Sequence, residues 1–108
     1  MVRRIIPILI AMACAPGAWA QQLEPSPGRR LAERDCTSCH AVKPGDMGPS
    51  PMEAAPAFQL VARMPSSTEL ALRVFLRTSH AGMPNLQFNE REVDELVAYF
   101  MSLAAPGK

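Results

Sequence analysis

Five consecutive residues, Cys36-Thr37-Ser38-Cys39-His40, limit what this chain can become more than any other stretch. Two thiols three positions apart lie on one side of a helical turn. Each can there form a thioether with a vinyl group of one macrocycle, while the histidine that follows offers a ring nitrogen from below. C-x-x-C-H is therefore read as the covalent attachment site of a c-type haem. Two other readings compete. A structural zinc site needs four nitrogen or sulfur ligands, and once the leader is removed only Cys36, Cys39, His40 and His80 could supply them. A thioredoxin-like redox pair would sit beside a strand–helix–strand pattern, and no strand-like run is visible.

Residues 1–20 read as a cleaved signal peptide. Arg3 and Arg4 precede an apolar run from Ile5 to Ala15, and Ala18-Trp19-Ala20 offers a small-x-small cleavage site before Gln21. The run is too short to span a bilayer. An alternative is cleavage before Cys14 with a lipid on its sulfur, which would make a lipoprotein. Removal of the leader leaves residues 21–108 as one small domain with nine basic and ten acidic side chains. A charge so close to zero implies neither nucleic acid nor an anionic membrane as partner. Cys36 and Cys39 are then the only cysteines. A chain of this size buries a modest core, and a covalently held apolar macrocycle would supply the missing hydrophobic mass.

Ser26 before Pro27 is a strong helix start, and the first helix is expected to run into the motif at about Cys39. Gly28 costs roughly 1 kcal/mol relative to Ala inside a helix, a cost that close approach of another helix would explain. Pro44, Pro49, Pro51, Pro56 and Pro65 exclude a long helix or a central strand from the next stretch. Phe58, Leu60 and Val61 suggest a packed loop there, with a turn or two of helix over 57–63. Ser66 and Glu69 have capping-box spacing, predicting a helix over 67–77 that buries Leu70, Val74 and either Leu72 or Phe75. Arg73 and Arg77 are expected on its solvated side. Asn89 and Glu92 open a last helix whose Val93, Leu96, Val97, Phe100 and Leu103 follow an amphipathic rhythm. Pro106 and Gly107 end it.

With His40 on one side of an iron, the residue opposite decides between electron transfer and reactivity. Met83 leads the candidates, because Gly82-Met83-Pro84-Asn85 is a turn-rich loop between two predicted helices. Its separation from His40, 43 residues, is enough to pass round a macrocycle. Met64 and His80 are the principal alternatives; Met47, Met52 and Met101 are further ones, as is no protein ligand at all.

From Ser26 to Leu103 the chain resembles the class I cytochromes c of the bacterial electron-transfer type. Gly28, eight residues before Cys36, matches that family's packing glycine, Cys36 and Cys39 its thioether cysteines, and His40 its proximal ligand. Gly48-Pro49 resembles the family's Gly-Pro, whose proline carbonyl usually accepts the proximal histidine N–H, with Pro44 and Pro51 as rivals. His80-Ala81-Gly82-Met83-Pro84-Asn85 looks like the distal loop, with Met83 as ligand and His80 not one. Tyr99 and Leu103 match the end of the closing helix. Where many members carry an aromatic on the first helix this chain has Ala32, so the crossing should lean on Tyr99 and Phe100. No tryptophan survives leader cleavage, and Arg63 or Arg73 could hold a propionate in its place.

The resemblance implies an all-α fold of three to four helices wrapped round one covalently bound haem c and its iron, with the terminal helices crossing. It implies a soluble mono-haem electron carrier of the periplasm with His/Met ligation, not an enzyme. Its partners would be a redox donor and an acceptor, with no membrane-spanning segment after cleavage, in a monomer or a subunit of a redox complex. A haem enzyme or gas-binding protein with a displaceable sixth ligand is the alternative, as is a dedicated subunit of a dehydrogenase or oxidase.

Overall fold

The computed structural model describes residues 24–105; the leader over 1–20, Cys14 and the Pro106-Gly107 stop lie outside that range. Four helices follow one another: α1 (Pro27–Asp35), α2 (Phe58–Arg63), α3 (Glu69–Arg77) and α4 (Glu90–Ala104). No strand occurs among the described residues. The fold is that of a small all-helical domain in which α4 packs against each of the other three helices.

Local chemistry accounts for where the helices begin. The Ser26 hydroxyl accepts the Arg29 N–H, with Pro27 as first helical residue. At α4 the capping box is complete: the Asn89 side chain accepts the Glu92 N–H, and the Glu92 carboxylate accepts the Asn89 N–H, both at 3.0 Å. Helix α3, in contrast, starts two residues later than its sequence spacing predicts. Thr68 is the cap and accepts the Ala71 N–H at 3.2 Å. The Ser67 hydroxyl is committed elsewhere, donating to the Val61 carbonyl at 2.5 Å and so tying the connection back onto α2.

Helix α1 also ends earlier than expected, at Asp35 rather than Cys39. Cys36 closes it through its own N–H to Ala32, and the Thr37 hydroxyl donates to the Glu33 carbonyl at 2.8 Å, satisfying an orphan of the last turn. The Cys36 carbonyl then accepts from both Cys39 and His40, at 3.2 and 2.9 Å. The motif is thus a separate turn set on the end of α1.

The face of α3 differs from expectation as well. Leu72 is buried and Leu76 packs against the core, while Leu70 and Val74 are 72% and 54% exposed. The arginines explain this rotation. Arg73 pairs with Glu69 and with Asp94 of α4, and Arg77 pairs with Glu90. The side expected to face water therefore leans on α4, which turns Leu70 and Val74 outward. Exposed pairs of this kind set orientation more than they add stability.

The core lies along α4, where Val93, Leu96 and Val97 are fully buried. Helix α1 crosses α4 at Gly28. A Cβ there would stand 1.9 Å from the Glu95 carbonyl oxygen and 2.8 Å from the Tyr99 Cβ, so only glycine permits the approach. Ala32, also fully buried, leaves room for the larger α4 side chains. The Tyr99 hydroxyl donates to the Val42 carbonyl at 2.5 Å, and the Phe100 ring stacks on Phe58 at 4.4 Å. Gln59, buried, spans α2 and the end of α4: its amide donates to the Leu103 carbonyl and its oxygen accepts the Gly45 N–H, both at 2.8 Å.

Two outcomes follow from the crossing. Gly28→Ala should destabilise the folded protein by about 3 kcal/mol, the upper part of the range for overpacking, measured by urea unfolding. Burial raises the Tyr99 phenol above its ordinary value, with nearby Arg29 opposing and Glu33 adding to the shift. Because the protonated form is favoured in the folded state, this contribution is intact below about pH 10 and lost as pH rises beyond it. Tyr99→Phe should cost about 1 kcal/mol at neutral pH and make the loss of stability above pH 10 shallower.

Candidate functional site

The motif turn, the proline-rich loop, α3 and the loop before α4 enclose a cavity of about 660 Å³, within the size range of cofactor pockets. Its lining is mainly apolar, with Leu72 and Phe75 of α3, Leu96 and Phe100 of α4, and Val61 of α2 among its walls. Cys36, Cys39, His40 and Met83 all border this one space. So do His80, Met52 and Met64; Met47 and Met101 do not.

His40 is held on two sides. Its Nδ1–H donates to the Pro56 carbonyl at 2.6 Å, and its ring meets Phe58 edge-on with centroids 5.3 Å apart. A hydrogen bond from Nδ1 fixes the tautomer, leaving the Nε2 lone pair available to a metal. The backbone around it is equally tied: Met52 N–H to the Cys39 carbonyl, Phe58 N–H to the Ala41 carbonyl, and Ala41 N–H to the Ser50 hydroxyl, at 2.9–3.1 Å.

Pro56, not Pro49, supplies the carbonyl. Residues 43–49 form an exposed excursion, including a cis Gly48–Pro49 bond, and the chain returns to the motif only at Ser50 and Met52. Pro44 and Pro51 are exposed too. Pro56 sits immediately ahead of buried Ala57 and Phe58, whose packing against α4 fixes the direction of its carbonyl. The sequence signal that points to it is this step from proline into the first apolar helix residues. Phe58, expected from the sequence only to pack near the motif, also positions the imidazole.

Cys36 and Cys39 are not joined in a disulfide. Cys36 is buried, and burial pushes its thiol up to about 11, with the charges of Asp35 and Cys39 adding to the rise. Cys39 is partly exposed. Among the described residues no three His, Cys, Asp or Glu side chains gather as a metal-binding group. An apolar space bordered by two thiols and one imidazole with a fixed tautomer suits a covalently held porphyrin.

The distal stretch is irregular. Met83 N–H bonds the His80 carbonyl at 3.4 Å across a turn in which Gly82 has φ +80°, a conformation that favours glycine. Arg63 and Arg73 do not border the cavity. Arg63 contacts the Met47 sulfur and Arg73 serves the α3–α4 pairing.

The family model described as "Cytochrome C oxidase, cbb3-type, subunit III" matches residues 24–100. Cytochrome c-552 of Bradyrhizobium diazoefficiens is 37% identical over 76 residues, covering 70% of this chain and 71% of that protein. No solved structure matches the chain. The chain belongs to the class I cytochromes c, electron-transfer haem proteins carrying covalently bound haem c with its iron.

Proposed function

We propose that this protein is a mono-haem electron shuttle with His/Met axial ligation that works outside the cytoplasmic membrane, once residues 1–20 have been removed. The observation that carries the reading is His40, bonded through Nδ1 to Pro56 and set against Phe58, in a cavity it shares with Cys36, Cys39 and Met83. When bound, the haem supplies a one-electron iron couple. Cys36 and Cys39 would hold it through thioethers, and His40 Nε2 and Met83 Sδ would serve as its iron ligands.

Met83 is preferred to the other sulfurs bordering the cavity. Met52 and Met64 are 43% and 51% exposed, whereas Met83 is partly buried. Pro84 follows Met83, and with no N–H of its own it leaves fewer backbone donors to satisfy where the loop turns in. A thioether ligand in an apolar pocket favours the less charged, reduced centre. Leu96 and Phe100 exclude water from the interior face, and no substrate need enter.

Redox proteins serve as donor and acceptor. Among the described residues no helix is long and apolar enough to cross a membrane. The oxidase-subunit wording of the matching family model supports a second possibility, that the domain serves as a dedicated subunit of a respiratory complex.

The oxidised protein should show the long-wavelength sulfur-to-iron band. Met83→Leu should abolish it and Met64→Leu should leave it; the reverse pattern would falsify the ligand assignment. Because the mature charge is near zero, the rate of electron exchange with a partner should fall less than about tenfold between about 10 and 200 mM salt. Stopped-flow reduction across that range measures it, and a steep decline would point to a charge-steered docking site.

A further inference from the structure

Of the polar side-chain atoms in the structure, His80 Nε2 stands apart: it is buried and has no hydrogen-bond partner among the described residues. A buried polar atom without a partner is uncommon and calls for a physical reason. His80 borders the same cavity as Met83 and His40. Its ring lies 3.4 Å from the Phe75 ring, centroid to centroid, so the imidazole is braced by an α3 side chain. It is also the first residue of the turn that Met83 closes, through the His80 carbonyl to Met83 N–H bond. The ends of such a turn are less than about 7 Å apart at Cα. The imidazole and the thioether are therefore presented by one short loop to one space.

We propose that His80 is a resident second ligand: when Met83 leaves the iron, His80 Nε2 takes the sixth position and keeps it closed to external ligands. The proposal rests on Met83 being the distal ligand. An imidazole nitrogen is a good iron donor in its neutral form, and a donor tethered three residues from the departing one acts at high effective concentration. The loop that carries both is held by few backbone bonds, the His80–Met83 turn and the Leu86 N–H to the Pro84 carbonyl. Irregular segments of this kind open locally at low free energy. The exchange makes and breaks coordinate bonds only, with no change of oxidation state and no co-reactant.

The chain has two histidines in all, which makes the test clean. Met83→Leu conserves volume and should fold. Its oxidised form is expected to lose the sulfur band yet remain low-spin by electron paramagnetic resonance, with a bis-imidazole signature that does not change on dilution. The double variant Met83→Leu/His80→Ala is expected to be high-spin. In the reduced state the single variant should bind carbon monoxide at least about tenfold more weakly than the double variant, since the gas must displace a tethered ligand. A high-spin single variant, or one that binds the gas as the double variant does, overturns the proposal while leaving Met83 as ligand intact. Persistence of the sulfur band in Met83→Leu overturns the ligand assignment and the proposal together. Should the variant fail to load haem, the unmutated protein is titrated with urea below the helix-unfolding transition to the point where the sulfur band is lost. That state should be low-spin, and it should be high-spin in His80→Ala; equal spectra overturn the proposal.

Discussion

The backbone of α1 lies directly against that of α4 at Gly28, beneath the Glu95 carbonyl, and the remaining geometry depends on this approach. With the helices so close, Tyr99 reaches across to the Val42 carbonyl, just beyond the motif that α1 delivers. Next to it on α4, Phe100 stacks on Phe58. Phe58 meets the edge of His40, and the neighbouring Pro56 carbonyl holds Nδ1. Each link is short-ranged and directional. The orientation of the histidine is thus set by a backbone contact two helices away, through aromatic packing rather than through the motif alone.

The two sides of the cavity are built differently. On the His40 side, main-chain bonds from Met52, Ala41 and Phe58 tie the loop to the motif, and Gln59 ties that loop and α2 to the end of α4. On the Met83 side, the stretch between α3 and α4 has no regular structure and few internal bonds. Rigidity on one side and looser backbone on the other confine any ligand exchange to the loop that carries Met83 and His80. In the ligation proposed above, such a difference in local stability would give His40 a fixed role and Met83 a conditional one.

Signals confined to a few adjacent residues are legible in the sequence itself. Ser26-Pro27, the Asn89–Glu92 box and the α4 rhythm each specify a local conformation through their own hydrogen bonds or periodicity. Gly28 and Tyr99 can be assigned because a family pattern relates them. Most of the positions that the sequence misplaces depend on choices between equivalent local options. Ser66 and Thr68 both make good caps, and Ser67 bonding to Val61 decides between them. Pro44, Pro49, Pro51 and Pro56 look alike in sequence, and only the packing of Phe58 selects Pro56. Leu70 and Val74 are as apolar as Leu72 and Leu76. What turns α3 is the pairing of Arg73 and Arg77 with acids on α4, which no periodicity within α3 contains.

That pairing bears on recognition. Arg73 and Arg77 lie on α3, a helix whose Leu72 and Phe75 line the cavity, and unpaired cations there could have attracted an acidic partner. Instead they face Asp94 and Glu90, and Arg34 faces Asp35 and Glu92. Paired charges largely cancel beyond a Debye length of about 8 Å at physiological salt. Their role is to fix the angle between α3 and α4, and with it the position of Leu72 and Phe75 on the cavity wall. The same rotation exposes Leu70 and Val74. Orientation of α3 by ion pairs therefore weakens any steering field from this helix and presents apolar surface, so a redox partner of the proposed shuttle that docked on this face would draw its specificity from fit at contact rather than from attraction at a distance.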